Sequence, residues 1–178
     1  ANHYEMAKAF LLKGISVVCD KPVTINVEQG EALQKIADEK DLFFCVTYSY
    51  SGFPMVHEMR SIIASGKLGK IQMVNAEYPQ DGRLKRIQAG TDKTDWHFFP
   101  EIGGPSGAGF DIGTHVEYTT RFVTGLKIKS VIARMEHTYG STLDTGGSAI
   151  IEYEDGTQGL YWFSQAAAGN DNNLRIRV

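Results

Sequence analysis

The stretch that decides the fold is residues 15–22, Ile-Ser-Val-Val-Cys-Asp-Lys-Pro. Its first five residues form a nearly continuous apolar run, which is typical of a strand buried within a parallel sheet. Residues 6–11 before it carry apolar side chains at helical spacing, and Gly14 is suited to end that helix in the left-handed conformation. A helix that leads directly into a buried strand indicates an α/β unit.

The same order of elements follows this stretch. Asn26, with Gln29 three residues later, predicts a capping box at the start of a second helix. A second apolar run lies at residues 42–46. Helix, strand, helix, strand is the rhythm of a doubly wound sheet, so residues 1–47 are predicted to be α/β, the C-terminal tail of a Rossmann-like parallel sheet.

From Tyr48 onward the pattern predicts helices followed by a run of strands. Asp155-Gly156 is a strong signal for a tight hairpin between the last two of these strands. Residues 79–103 are predicted to be a long polar connection. Residues 48–178 are therefore expected to be α+β, a mostly antiparallel open sheet with covering helices. Helices are expected at residues 54–65 and 106–124, and strands at residues 71–78, 127–138, 147–153 and 158–165.

The strand predicted at residues 158–165 contains Leu160-Tyr161-Trp162-Phe163, which is apolar on both faces. One face is expected to pack against the helix at residues 106–124. The other face needs a further partner. We expect that partner to be a second subunit in a homo-oligomer, and the alternative is that further C-terminal residues cover this face.

The composition is that of an ordinary globular protein: 178 residues, 42% hydrophobic and 22% charged, with a formal net charge of -3. This balance argues against disorder and gives no support for nucleic-acid binding. No apolar run approaches the roughly 18 residues of a membrane span and no signal peptide is visible, so a cytoplasmic protein without a membrane partner is expected. The chain begins without methionine and ends within a predicted strand, so we expect it to be cut at both ends.

The two cysteines, Cys19 and Cys45, lie inside apolar runs. We expect two buried thiols in a reducing cytosol, since neither a secretory context nor metal-ligand spacing accompanies them. No group of His, Cys, Asp and Glu residues has the spacing of a metal site, so no metal is predicted. No Gly-x-Ser-x-Gly motif occurs, which argues against an acyl hydrolase.

Lys21 follows a buried parallel strand directly, at the sheet edge where open α/β proteins bind ligands. Pro22 favours an extended backbone at Lys21 and so restricts the direction of its side chain. A lysine held in this way could bridge a cofactor ribose and a substrate hydroxyl, or stabilise an alkoxide. The alternative is a solvated lysine on a turn.

Asp111 and His115 are four residues apart on the helix predicted at residues 106–124, so they share a face. A carboxylate beside an imidazole can orient the ring and raise its basicity, which suits a general base that removes a proton from an alcohol. The alternative is an intrahelical pair on a wet surface. Residues 103–109, Gly-Gly-Pro-Ser-Gly-Ala-Gly, lead into this helix and permit close approach of a ligand or another backbone. Trp96 precedes them and could stack on a sugar ring.

The glycines of residues 107–113 do not form a dinucleotide fingerprint, because that motif requires a strand directly before it and an acidic residue about 20 positions later. A true fingerprint is expected upstream of Ala1. His57 and His137 are expected to be surface residues, whereas His3 and His97 are possible contacts of the site.

The sequence resembles the Gfo/Idh/MocA family, the glucose–fructose oxidoreductases and inositol dehydrogenases. The matching stretches span nearly the whole chain in the expected order. The family's usual Glu-Lys-Pro stands here as Asp20-Lys21-Pro22, and its common triple glycine is the looser run at residues 103–107. The resemblance is carried by Asn2-His3, residues 14–22, residues 65–71 (Ser-Gly-Lys-Leu-Gly-Lys-Ile), Trp96 and residues 107–115 (Gly-Ala-Gly-Phe-Asp-Ile-Gly-Thr-His).

The resemblance implies a role for each matching residue. Lys21 would contact both the nicotinamide ribose and the substrate, Asp111 would hold substrate hydroxyls, and His115 would be the base that takes the hydroxyl proton. It also implies that these groups face a common cleft. The remaining residues implied or suggested by position are Asn2 and Pro22 along the cofactor, and Tyr48, Trp96 and His97 at the substrate.

The resemblance also implies an activity. The parent protein would use NAD or NADP to oxidise a secondary alcohol of a sugar, sugar acid or inositol. Residues 48–178 would be its substrate-binding and oligomerisation domain, incomplete at the C-terminus, in a dimer or tetramer formed through the antiparallel sheet. The chain alone is expected to bind cofactor poorly and to be inactive. The alternatives are a non-catalytic sugar or nucleotide sensor and an NAD-dependent glycosidase of the same family.

Overall fold

The computed structural model describes residues 3–91 and 99–178. The chain forms two compact units, Ala1–Tyr48 and Ser49–Val178, and each has its own hydrophobic core. Three residues singled out from the sequence, Asn2, Trp96 and His97, lie outside the described residues.

The first unit is a parallel pair of strands packed against two helices. The predicted order of helix, strand, helix and strand is confirmed, although the first strand starts two residues later than expected. Leu11 and Leu33 are fully buried at the centre of the unit. The elements are α1 (His3–Leu12), β1 (Val17–Asp20), α2 (Val27–Glu39) and β2 (Phe44–Thr47), and β1 and β2 are parallel.

The ends of both helices follow the local signals in the sequence. Gly14 has a φ of 78°, and its N–H donates to the carbonyl of Leu11 at 2.9 Å, so it ends α1 in the left-handed conformation as predicted. At the start of α2 the Asn26 side chain accepts from the N–H of Gln29 at 2.9 Å. The Gln29 side chain reaches back to the N–H of Ile25 at 3.3 Å. The predicted reciprocal cap therefore forms. The Gln29 side chain binds the N–H of Ile25, one residue before the N-cap residue Asn26 whose N–H a standard capping box uses.

The apolar residues of α1 divide between the core and the surface. Ala7 and Leu11 are buried in the core, whereas Met6 and Phe10 are 56% and 51% exposed. Met6 and Phe10 line an apolar groove of about 380 Å³ alongside β1, together with Val18 and other residues of the strand. Helical spacing thus identified the helix but not which of its apolar side chains are buried.

The second unit contains an open sheet of five strands. Neighbouring strands are antiparallel except for β3 and β6, which are parallel, so the predicted mostly antiparallel sheet is confirmed. In sheet order the strands are β4 (Ile128–Glu136), β5 (Gly146–Tyr153), β6 (Gln158–Ser164), β3 (Met73–Pro79) and β7 (Arg175–Arg177).

Helices cover one face of this sheet. Val116 on the last helix packs into the core with Val74, Tyr153 and Tyr161 from three strands. That helix ends at Gly125, which is left-handed with a φ of 71°, as its sequence predicts. The helices of the unit are α3 (Pro54–Ala64), α4 (Gly82–Gln88), α5 (Pro100–Gly103) and α6 (Thr114–Thr124).

The prediction that residues 79–103 form a polar connection is wrong in part, because α4 and α5 lie within it. Leu84 and Arg83 of α4 are 6% and 5% exposed. The backbone N–H groups of Arg83 and Leu84 donate to the carbonyl of Gln165 at 3.0 and 3.3 Å, respectively. A helix of only two turns does not show enough periodicity to be identified in a charged segment. Hydrogen bonds to Gln165, which directly follows β6, stabilise α4.

The hairpin predicted at Asp155-Gly156 joins β5 and β6. Gly156 is left-handed with a φ of 84°, and Asp155 accepts from the N–H of Thr157 at 2.9 Å. This turn aligns the strands so that Tyr161 faces the helices, where it is 7% exposed.

The opposite face of the sheet is apolar and exposed in its centre. Leu160 and Trp162 of β6 are 40% and 37% exposed, and Ile150 and Ile132 are 52% and 74% exposed. Ile132, Ile150 and Leu160 are cross-strand neighbours. We call these four residues the outer apolar patch. The prediction that β6 carries apolar side chains on both faces is confirmed. That a second subunit covers the outer face stays a prediction.

No helix within the described ranges is long and apolar enough to cross a membrane. Across the same residues, no group of three or more His, Cys, Asp and Glu side chains is arranged to hold a metal ion. Cys19 is buried and Cys45 is half-buried, and both are free thiols.

Gly30 and Gly14 offer a matched test of this fold. Gly30 lies inside α2, where an added Cβ meets Thr24 Oγ1 at an ordinary 3.6 Å. Gly30→Ala is expected to raise the free energy of unfolding by about 0.5–1 kcal/mol, because alanine loses less backbone entropy in a helix. Gly14→Ala is expected to lower it by about 1 kcal/mol or more, because alanine disfavours a positive φ. Urea denaturation of both variants measures the difference, and a loss of stability in Gly30→Ala would contradict the described helix.

Candidate active site

The turn after β1 holds Lys21 by hydrogen bonds to its neighbours. The backbone N–H of Lys21 donates to Asp20 Oδ1 at 2.8 Å, and Thr47 Oγ1 at the end of β2 donates to the same oxygen at 2.7 Å. The hydrogen bond from Thr47 is the largest of the effects that lower the pKa of Asp20 below its ordinary value. The carboxylate therefore remains charged and ties the ends of the two parallel strands together.

His3 and Pro22 complete this turn. His3 Nδ1 lies 2.8 Å from the carbonyl oxygen of Pro22, and the Lys21–Pro22 peptide is cis. His3 therefore lies beside the Lys21 turn, and its role as a contact of the site stays a prediction. The backbone that carries Lys21 is thus fixed from α1, β1 and β2.

Asp111 and His115 lie on one continuous helical segment with an irregular start. Residues 109–113 form a π-helical turn that contains Asp111, and α6 begins at Thr114. The regular helix expected from residue 106 is therefore corrected: residues 109–113 form one turn that is wider than an α-helical turn. Single π-helical turns of this kind are frequent at functional sites.

His115 is buried, with 6% of its surface exposed, and Asp111 is half-buried. The alternative, a solvent-exposed Asp–His pair, is therefore wrong as far as His115 is concerned, because its imidazole is buried. Burial keeps bulk water from the ring, so the groups packed beside it form its immediate surroundings.

Two tyrosines contact the His115 ring edge-to-face. The ring centroid of Tyr50 lies 5.0 Å away at 81°, and that of Tyr78 lies 6.3 Å away at 70°. Their hydroxyls are hydrogen-bonded to each other, and Tyr78 also donates to Asn172 Oδ1 at 2.5 Å. The pKa of Tyr78 is raised far above its ordinary value, mainly because the hydroxyl is buried and secondly because of its hydrogen bond with Tyr50. The Tyr78 hydroxyl therefore stays neutral and keeps its proton at any working pH.

The Asp111 carboxylate has a partner from the sheet. Gln165 Nε2 donates to Asp111 Oδ2 at 2.6 Å. Both side chains line a small polar cavity of about 80 Å³ in the second unit. The other lining residues include Gln80, Arg83, Arg86 and Gly107.

A buried carboxylate fixes the segment that leads into the π-helical turn. The two oxygens of Asp144 accept from the N–H groups of Gly107 and Gly109, each at 2.8 Å. Asp144 is 4% exposed, and its backbone carbonyl accepts from Arg83 Nη1 at 2.8 Å. Arg83 Nη2 also donates to Ser141 Oγ at 2.6 Å. We call Arg83, Asp144, Gly107 and Gly109 the glycine clamp.

The glycine clamp explains the glycine-rich run before the helix. A Cβ on Gly107 would lie 2.5 Å from the Asp144 carbonyl oxygen and would collide with Arg83 Nη1. The close approach predicted here is therefore made by another backbone and a buried arginine of the same unit.

The predicted site residues fall into two groups. Lys21, Pro22 and Tyr48 belong to the first unit, and Asp111 and His115 belong to the second. The exposed positions predicted for His57 and His137 are confirmed. The residues that sequence reasoning missed are Tyr50, Tyr78, Asn172, Gln165, Arg83 and Asp144.

One of these missed residues had a usable signal. Gln165 follows an apolar strand directly, as Lys21 does, and a polar residue in that position is a candidate for a site at the edge of a sheet. For Asp144 and Arg83 the sequence carries no comparable signal, because their partners are distant in the chain.

The glycine clamp can be tested by stability. Gly107→Ala is expected to lower the free energy of unfolding by roughly 2–3 kcal/mol or more, because the methyl group has no space between Arg83 and Asp144. Gly52→Ala is the matched control, since an added Cβ there has nothing within 4 Å. Guanidinium denaturation compares the two variants. Equal stabilities would mean that the clamp does not constrain Gly107.

Comparisons with known proteins agree with this architecture. The family described as GFO/IDH/MocA C-terminal domain matches residues 56–178. The family described as oxidoreductase family, NAD-binding Rossmann fold, matches residues 1–48. The oxidoreductase YfiI of Bacillus subtilis (strain 168) is 31% identical over 184 residues, covering 99% of this chain and 46% of that protein.

Solved structures show the same likeness. An inositol dehydrogenase homologue from Azotobacter vinelandii, in complex with NAD+, has a TM-score of 0.92 at 30% identity, and the match covers all of this chain and 46% of that one. A complex with NADH and myo-inositol from the same organism has a TM-score of 0.89 at 30% identity, with 100% and 45% coverage. The chain spans about half the length of these relatives. Because the C-terminal domain match extends over most of the chain and the Rossmann match covers the residues before it, the chain belongs to the Gfo/Idh/MocA family of oxidoreductases.

Proposed function

We propose that this protein is an NAD- or NADP-dependent dehydrogenase that oxidises a secondary alcohol of an inositol, a sugar or a sugar acid. The observation that carries the proposal is the buried imidazole of His115, which lies on the same helical segment as the Asp111 carboxylate and against two tyrosine rings. A buried imidazole near a carboxylate and neutral hydroxyls suits proton transfer from an alcohol.

Membership of the family supports the class of reaction. A solved relative is an inositol dehydrogenase homologue in complex with NADH and myo-inositol. Proteins of one fold can differ in chemistry, so the residues of this chain must supply the groups that the reaction needs.

The residues at the Lys21 turn fit a nicotinamide cofactor. The turn offers an ammonium group at Lys21 and lies at the carboxyl end of the parallel strands β1 and β2, which is where dinucleotides bind in open α/β sheets. Lys21 and Pro22, with Asn2, would hold the nicotinamide riboside end. When bound, NAD or NADP accepts the hydride that leaves the carbinol carbon.

The side chains of this chain would orient the substrate, remove its hydroxyl proton and stabilise the developing charge. Asp111 accepts hydrogen bonds from substrate hydroxyls and so orients the ring of the substrate. The imidazole of His115 takes the hydroxyl proton as the carbonyl forms. The Lys21 ammonium would contact the substrate and stabilise the negative charge that develops during the reaction. Tyr48, Trp96 and His97 would form walls of the substrate site.

Substitutions at His115 and Lys21 test these roles in the full-length protein. His115→Ala and Lys21→Ala are each expected to lower kcat/KM for a polyol by roughly a hundredfold or more, the size of a general acid–base effect. The measurement is the initial rate of cofactor reduction with a polyol that the wild type oxidises. Near wild-type rates in both variants would refute the assignment.

Matched controls separate catalysis from folding. His57 on α3 and Lys13 after α1 are exposed, and His57→Ala and Lys13→Ala are expected to retain wild-type rates. Because His115 is buried, His115→Gln is made as well, and the thermal unfolding midpoint of each variant is compared with that of the wild type. Tight cofactor binding with no turnover of any polyol by the wild type would favour a sensor instead.

We also propose that the protein is a homo-oligomer that buries the outer apolar patch against a second copy of the same sheet. The patch lies on three neighbouring strands, and exposed apolar residues grouped in this way commonly form protein interfaces. Residues beyond Val178 are the alternative cover.

Ile150→Lys tests this interface. A charge in the centre of the patch is expected to convert the oligomer to monomers, because an unpaired ammonium cannot be buried between two sheets. Met55→Lys on α3 is the control, since Met55 is 75% exposed on another element. Light scattering coupled to size-exclusion chromatography gives the mass. A wild type that is already monomeric would contradict the proposal.

A further inference from the structure

We propose that Gln165 is a positioning residue that fixes the orientation and the charge of the Asp111 carboxylate. The inference rests on the proposed function, in which Asp111 holds the substrate hydroxyls. Gln165 lies outside the helical segment that carries Asp111 and His115, at the end of β6.

The contact between the two side chains is direct. Gln165 Nε2 donates to Asp111 Oδ2 at 2.6 Å, a short distance of the kind found when the acceptor is charged. An amide N–H can only donate, so it favours the ionised form of the carboxyl group. The bond to Oδ2 therefore restricts the orientation of the Asp111 carboxylate.

The backbone of Gln165 is anchored from two further elements. Its N–H donates to the carbonyl of Thr145 at 2.8 Å, and its carbonyl accepts from the N–H groups of Arg83 and Leu84 at 3.0 and 3.3 Å. Gln165 thus joins the start of β5, the end of β6 and the first turn of α4. A side chain with its backbone held in this way can position a partner, because its own base cannot move.

Charged groups surround Asp111, and Gln165 is a neutral donor among them. Arg83 and Arg86 of α4 line the same cavity. His115 follows four residues later on the same helical segment, and the Asp144 carboxylate binds the N–H groups of Gly107 and Gly109 just before it. Gln165 is thus a neutral hydrogen-bond donor to Asp111 in a cavity that two arginines also line.

Two substitutions separate the orientation of Asp111 from its charge. Gln165→Ala removes the hydrogen-bond donor to Asp111 Oδ2. Gln165→Glu keeps the shape of the side chain but places a second carboxyl group at hydrogen-bond distance, and two such groups do not ionise independently. Gln72→Glu is the control, because it makes the same change of charge at an exposed residue of the same unit.

The experiment follows Asp111 directly in the purified full-length protein. Carbon-13 NMR of protein labelled at the aspartate carboxyl carbons, with Asp111→Asn to assign the signal, gives the titration midpoint of Asp111. We expect the midpoint to rise by roughly one pH unit in Gln165→Glu, to rise by less in Gln165→Ala, and to stay unchanged in Gln72→Glu. An unchanged midpoint in both Gln165 variants would overturn the proposal.

Kinetics with a polyol give the second readout. Gln165→Ala is expected to raise KM for the polyol about tenfold while KM for the nicotinamide cofactor stays constant, because Asp111 is proposed to bind the substrate and not the cofactor. In Gln165→Glu the acid limb of the rate profile is expected to move to higher pH with the NMR midpoint. If the wild type oxidises no polyol, the proposed function fails, and the NMR titration still decides the role of Gln165.

Discussion

The second unit depends on one buried interaction, the carboxylate of Asp144 bound to two backbone N–H groups of the glycine-rich run. Each oxygen has a donor at 2.8 Å, and the carbonyl of the same residue accepts from the buried Arg83. A charge this deeply buried is stable only when its hydrogen bonds are complete. Satisfying Asp144 therefore requires that Gly107 and Gly109 present their N–H groups together, which fixes where the following helical segment begins.

The position of the chemistry follows from that constraint. The π-helical turn starts at Gly109 and carries Asp111, and α6 continues with His115 as its second residue. Gln165 at the end of β6 then binds Asp111, and Tyr50 and Tyr78 enclose the His115 ring. Loop, helix and sheet each contribute one constraint, so the two groups proposed to act on the substrate are held by rigid elements. Proposed catalytic groups that are held in this way need little reorganisation when a substrate binds.

The sequence predicted the features whose signals are local. The cap at Asn26, the helix stop at Gly14, the hairpin at Asp155-Gly156 and the strand before Lys21 each depend on residues only a few positions apart. The sequence did not predict the glycine clamp or the bond between Gln165 and Asp111, whose partners are 37 and 54 positions apart. Tyr50 and Asn172, which are bonded across 122 positions, show the same limit: side-chain pairs set by the topology of the sheet leave no periodicity in the chain. Position after a strand and i,i+4 spacing made Lys21, Asp111 and His115 candidates, the resemblance implied a specific role for each, and those roles remain proposals.

We propose that this protein removes a hydride and a proton from a secondary alcohol, with His115 as the base. The most direct measurement is the appearance of reduced nicotinamide when the full-length protein is given NAD or NADP and a polyol such as myo-inositol, with hydrogen or with deuterium at the carbinol carbon. Reduced cofactor is expected with the hydrogen form and is expected to appear more slowly with the deuterium form. No reduced cofactor from any inositol, sugar or sugar acid, by a folded protein that binds the cofactor tightly, would contradict it.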